Sequence, residues 1–211
     1  MIRTSVILLA IWSLGLCEYG HAAEGPKVIA AGEWSKPVDD NRGYAVRGRL
    51  VLCENRAGTD RREVAVYVEL QDASEARGSG MQLYCEMGKT DFRAEYKGGL
   101  QCEMRDKDKK LVSYTGYPFG GGVPKAEWVK LPCDATIRLR ASPFGLRRSN
   151  AMAISPELNK LWVIRDDDPN EYFLSGTFTI APANDRIEMD GGHIWRGAIA
   201  LPAVRINNKR P

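Results

Sequence analysis

Apolar and polar residues alternate with a period of two along most of the chain, and no stretch repeats its apolar positions at helical spacing, which predicts an all-β protein. In "YAVRGRLVLC", residues 44 to 53, Tyr44, Val46, Leu50 and Leu52 share one face while Arg47 and Arg49 share the other. This is the pattern of a strand wet on one side. "VAVYVEL" sets Val64, Val66, Val68 and Leu70 against Ala65, Tyr67 and Glu69, and "ATIRLRA" sets Ile137 and Leu139 against Thr136, Arg138 and Arg140. Further strands are expected at "LWVIR" from Leu161, "YFLSGTFTI" from Tyr172 and "IWRGAIAL" from Ile194, whereas "PFGLRRSNAMAISPEL" reads as irregular. With no amphipathic helix to cross between parallel strands, the sheets should be antiparallel. Seven or more short strands separated by turns predict an immunoglobulin-like β-sandwich, with a closed barrel as the alternative.

One strand pattern occurs twice. Leu83-Tyr84-Cys85-Glu86-Met87 and Leu100-Gln101-Cys102-Glu103-Met104 each place Leu, Cys and Met on one face. If "DFRAEY" between them is a strand pairing with both, Cys85 and Cys102 lie roughly 10 Å apart, beyond the limit of about 7 Å between Cα atoms for a disulfide. If it is a loop, the two copies pair antiparallel with Cys85 opposite Cys102. The spacing leaves both arrangements open. Cys53, Cys85, Cys102 and Cys133 are the disulfide candidates, at least one bridge is expected, and four cysteines leave three pairings open. They contain no CxxC pair, so neither zinc nor a soft-metal site is expected.

The opening residues change the compartment. Arg3, the apolar run Val6 to Leu16 and the small residues Ala22 and Ala23 form a signal peptide over residues 1–22. Its apolar run is well short of the roughly 20 residues needed to span a bilayer, so no transmembrane anchor is expected. Leu16 is too large a neighbour for Cys17 to be lipid-modified. Residues 23–211 then form a single domain, secreted or periplasmic, with no linker composition to divide it. Its formal charge is +3, unchanged by removal of Arg3 and Glu18 with the leader. That excess is too small and too scattered for a nucleic-acid partner.

Catalytic signatures are missing: there is no GxSxG, HExxH, Walker loop or dinucleotide fingerprint. His193 in "DGGHIWRG" reads as a turn before a strand. Asp166-Asp167-Asp168-Pro169-Asn170-Glu171 has oxygens for calcium but the composition of a turn, and the turn is the better reading. Arg47, Arg49, Arg138 and Arg140 would form a basic face if their strands share a sheet, with Glu69, Glu86 and Glu103 as cross-strand partners, their ordinary use. In "YTGYPFGGGVP", residues 114 to 124, Tyr114, Tyr117 and Phe119 stand among glycines and prolines, suited to stacking on sugar rings or anchoring a protein. The bland alternative is that Tyr117 and Phe119 fold back and cap the end of the sandwich.

Together, "GEWSKPVDD", "VRGRLVL", "VAVYVELQD", "EWVKLPCDATIRLRA", "YFLSGTFTI" and "WRGAIALPAVRI" resemble an uncharacterised family of exported bacterial proteins. The resemblance runs from Trp34 to Ile206 and implies an immunoglobulin-like β-sandwich; it carries no activity, and the cysteines are not part of its pattern. The expected function is that of a non-catalytic binding module without cofactor, whose partner is a protein or polysaccharide of the cell envelope, contacted through Tyr114, Tyr117 and Phe119. Two other classes are weighed: an enzyme acting on wall polysaccharide through a carboxylate pair, nominally Asp167 and Glu171, and a proteinase inhibitor presenting the loop near Pro118.

Overall fold

The computed structural model describes residues 27–55, 62–75, 80–91, 99–115, 123–141, 147–148, 151–157, 160–180 and 193–207. Every regular element among them is a strand. In chain order these are β1 (Lys27–Ala31), β2 (Val38–Asp39), β3 (Ala45–Asn55), β4 (Arg62–Asp72) and β5 (Met81–Asp91). Then come β6 (Leu100–Asp106), β7 (Val123–Leu131), β8 (Thr136–Arg140), β9 (Arg147–Arg148) and β10 (Ala151–Glu157). The last four are β11 (Lys160–Arg165), β12 (Tyr172–Ile180), β13 (His193–Ile194) and β14 (Gly197–Ile206). Among the described residues no helix is long and apolar enough to cross a membrane.

The strands form four hydrogen-bonded groups: β1-β3-β4-β8 with β2 and β9 appended, β14-β12-β6, β13-β5-β7, and the hairpin β10-β11. All pairings are antiparallel except the two-residue parallel contact of β13 with β5. Alternation places the side chains as expected: Val46, Leu50 and Leu52 of β3 and Val64, Val66, Val68 and Leu70 of β4 all face one core. They meet Leu174 and Phe178 of β12 and Ile199, Leu201 and Val204 of β14. Full burial of each such side chain stabilises by about 1.5–3 kcal/mol. Gly48 permits a close approach between β3 and β14, since a Cβ there would lie 2.9 Å from Leu201 Cδ2.

The β12–β14 register shifts between Leu174 and Gly176, so that Leu174 faces Val204 and Gly176 faces Leu201. One extra residue is therefore accommodated on β14 at Pro202-Ala203, and Pro202, which has no N–H for a ladder, suits such a bulge.

Three expectations are corrected. "AMAIS" is not irregular but lies in β10, where Ala151, Met152, Ala153, Ile154 and Ser155 are all buried. The repeated words do not pair with each other, since Cys85 lies in β5 opposite Glu127 of β7 and Cys102 lies in β6 opposite Gly176 of β12. The arrangement with "DFRAEY" as a strand between them falls on residues 92–98, outside the described residues. The expected disulfide is not formed, and among the described residues Cys53, Cys85, Cys102 and Cys133 are all unbridged. Cys85 and Cys102 belong to separate hydrogen-bonded groups, which removes the pairing that would have set them face to face.

Burial decides how these thiols react. It pushes Cys85 up to about 12 and also raises Cys53, with Arg138 opposing and Glu69 adding to the rise. Both stay protonated near neutrality, and the thiolate is the nucleophile. In the native protein a maleimide reagent should modify the partly exposed Cys133 first, and Cys53 and Cys85 only after unfolding. Mass spectrometry over a labelling time course would read this, and modification of Cys85 as fast as Cys133 would refute it.

Candidate functional site

Beside β6 and β12 lies a cleft of about 840 Å³. Its floor is the outward face of β14-β12-β6, which presents Gln101 and Glu103 of β6, Ser175 and Thr177 of β12 and Ala200 of β14. Its wall is the segment 111–114 together with Lys160 and Trp162 of β11. The wall is tied at both ends. Leu111 bridges Arg105, and the Val112 N–H donates to the Met104 carbonyl at 2.8 Å. Thr115 and Leu161 exchange backbone hydrogen bonds of 2.8 and 3.2 Å, and the Trp162 indole N–H donates to the Val112 carbonyl at 3.1 Å.

Tyr114 stands on this fixed segment, 52% exposed. Its ring meets that of buried Trp162 edge to face, with centroids 6.0 Å apart and planes at 75°. The Lys160 ammonium lies 5.6 Å from the Tyr114 ring centre and donates to the Cys102 carbonyl at 3.0 Å. Opposite, Arg105 donates to both Glu103 oxygens at 2.9 and 3.1 Å. The hydrogen bond from Arg105 holds the Glu103 carboxyl below the usual range, burial opposing it and the charges of Arg105 and Lys160 adding to it. Glu103 is thus an anion near neutrality, and the cleft presents a half-exposed aromatic ring above hydroxyl, amide and carboxylate groups.

Of the aromatic residues singled out from sequence, Tyr114 reaches this cleft, while Tyr117 and Phe119 lie outside the described residues, as do Pro118 and the leader. Lys160, Trp162, Gln101, Glu103, Ser175 and Thr177 carried no sequence signal as site residues. They are brought together only by the pairing of β6 with β12 and by the bridge from Thr115 to Leu161.

The arginine strands do share a sheet. Arg49, Glu69 and Arg138 stand in one cross-strand row, and Glu69 accepts from Arg49 Nε at 2.7 Å and from Arg138 Nη2 at 2.6 Å. Burial would raise the Glu69 carboxyl, but the hydrogen bonds from Arg138 and Arg49 outweigh it and hold the group below its usual range. In the next row Arg47 donates to Gln71 at 2.8 Å, and the guanidinium carbons of Arg47 and Arg49 lie 5.2 and 4.5 Å from the centre of the Trp34 ring. Cross-strand pairing is thus realised for Glu69, whereas Glu103 pairs along its own strand; the side chain of Glu86 is outside the described residues.

His193 begins β13 and is more than a turn residue. Its ring stacks on Tyr44, with centroids 3.8 Å apart and planes at 8°, and its Nε2 is hydrogen-bonded to Asp40. The two side chains are only 12% and 10% exposed. The acidic run Asp166 to Glu171 is a turn between β11 and β12. There Asp168 accepts from the Asn170 N–H at 2.9 Å and the Tyr172 hydroxyl at 2.7 Å, Asp167 pairs with Arg165, and Glu171 pairs with Arg205.

The fold and this geometry define an all-β protein of antiparallel sheets with an aromatic-rimmed polar cleft. Comparison with protein-family models, with curated proteins and with solved structures found no match.

Proposed function

We propose that this is an exported, non-catalytic binding module that takes a protein or polymer of the cell envelope in the cleft beside Tyr114. In this reading residues 1–22 are a signal peptide, residues 23–211 form a single immunoglobulin-like β-sandwich, and the chain belongs with the exported bacterial proteins it resembles. The observation that carries the reading is the Tyr114 ring. A large aromatic side chain is half exposed on a backbone fixed to β6 and β11, beside a cleft of about 840 Å³. Ligand sites are concavities of this size order, lined by aromatic surface with a few placed polar groups. A pre-fixed ring also loses little conformational freedom when a partner covers it.

The full chain, expressed with its leader for export, should be recovered outside the cytoplasm and be retained on immobilised envelope material. Tyr114→Ala, shown by circular dichroism to keep its β structure, should bind at least tenfold more weakly, a loss of about 1.4 kcal/mol. Equal retention of the two proteins would move the site away from the cleft.

A further inference from the structure

We propose that the ligand of the cleft is a neutral oligosaccharide, lying on the β6–β12 face with one ring against Tyr114; this rests on the reading of the cleft as the binding site.

The floor has the spacing and chemistry for it. In the strand register Gln101 stands opposite Thr177 and Glu103 opposite Ser175, so four hydrogen-bonding side chains form a two-by-two grid. Its rows span the ~4.8 Å between neighbouring strands. The amide, the two hydroxyls and the carboxylate together offer both donors and acceptors. Adjacent hydroxyl groups of a sugar ring, each able to donate and accept, fit such a grid.

The rim supplies the complementary surface. Leu111 and Tyr114, 59% and 52% exposed, both border the cleft and are two of the four large hydrophobic side chains exposed among the described residues. The C–H face of a sugar ring can lie against them while its hydroxyls reach the floor.

Charge selects the neutral class. Among the described residues the cleft lining contains one cation, Lys160, and one anion, Glu103. Lys160 is already engaged with the Cys102 carbonyl and the Tyr114 ring, and Glu103 with Arg105. An anionic polymer would bring charges for which this lining has no surplus of opposite sign, and desolvating a charge without a partner is costly. A protein partner is disfavoured too, because the floor is polar where the centre of a protein interface is apolar and fully desolvated.

The test is a glycan array carrying neutral hexose, pentose and N-acetylhexosamine oligomers beside uronic-acid and sulfated counterparts, probed with the exported chain and followed by calorimetry on the members that bind. Binding should be confined to neutral members and should change less than threefold between low and high salt, since little of it is Coulombic. It should weaken at least tenfold in Tyr114→Ala and in Thr177→Val, and return in Tyr114→Trp. Thr177→Val alters only an exposed, isosteric side chain, so a loss there is a loss of contact and not of fold. Binding confined to acidic members, or abolished by salt, overturns the neutral class. No binding on the array combined with Tyr114-dependent retention of an envelope protein overturns the sugar and leaves the binding module standing. Absence of any Tyr114-dependent binding overturns both.

Discussion

Replacing Trp195 by alanine is expected to lower the free energy of unfolding by about 4 kcal/mol, the range of large aromatic deletions from a packed core. Trp195 is wholly buried between β13 and β14 and joins separate parts of the chain. Its backbone N–H donates to the Gln82 carbonyl of β5 at 3.1 Å, and its indole N–H donates to the Tyr44 carbonyl, also at 3.1 Å. The neighbouring sequence is adapted to the ring. A Cβ on Gly197 would lie 2.7 Å from Trp195 Cη2, so the glycine makes room for the indole. Truncation therefore removes the transfer free energy, leaves a cavity, and takes from the Tyr44 carbonyl one of its two hydrogen bonds, the other being from the Asp40 N–H at 3.1 Å. Urea titration of the two proteins would measure the difference, and a loss below about 1 kcal/mol would contradict the burial of this ring. Trp195→Phe should recover part of the packing but not the hydrogen bond.

The second large effect is expected at Asp40, whose replacement by asparagine should cost about 2 kcal/mol at pH 5, less than breaking a fully buried ion pair because the amide oxygen can still accept from the Arg42 and Tyr44 N–H groups. Burial would raise the Asp40 carboxyl, but the hydrogen bond from His193, the N–H groups of Arg42 and Tyr44 and the charge of His193 outweigh it, and the net shift is downward. A carboxyl lowered in the folded state contributes stability that is fully present above its unfolded pKa of about 3.9 and is lost as pH falls through the folded value. The gap between wild type and Asp40→Asn should therefore be present at pH 5 and narrow below about pH 4. Denaturant midpoints at pH 5 and pH 3 would read it, and a gap independent of pH would mean that the ionised carboxylate does not stabilise the fold. The pair spans 153 positions of sequence, so its loss should also loosen β13 from the β2–β3 turn.

Strands with one buried and one wet face were legible from sequence, because alternation is the direct trace of that environment. β8 and β12 are of this kind, whereas β3 and β4 kept the alternation through Arg47, Arg49 and Glu69 although their second face is not wet as expected: Val51, Cys53, Ala65 and Glu69 are buried. The row Arg49–Glu69–Arg138 follows from Glu69 standing between two arginine strands. β10 escaped for the opposite reason: with Ala151 to Ser155 all buried, both faces are apolar and the period vanishes. The pairing of β5 with β7 and of β6 with β12 was equally hidden, since similar local patterns do not choose partners. The candidate site divides along the same line. An aromatic residue in a glycine-rich loop drew attention to Tyr114, whereas Lys160, Trp162 and Thr177 become site residues only through contacts across the chain. His193 was read from its glycine neighbours alone, and nothing local reveals a partner as distant as Asp40.

The wall of the cleft has a consequence for solubility. Among the described residues β6 is the end strand of β14-β12-β6, and such edges are templates on which another chain can add a strand. Here the carbonyl of Met104 is taken by the Val112 N–H and that of Cys102 by the Lys160 ammonium. A lysine set against an edge is a known guard against edge-to-edge aggregation, so the side chain that lies beside Tyr114 also occupies one of the β6 carbonyls to which an added strand would bond.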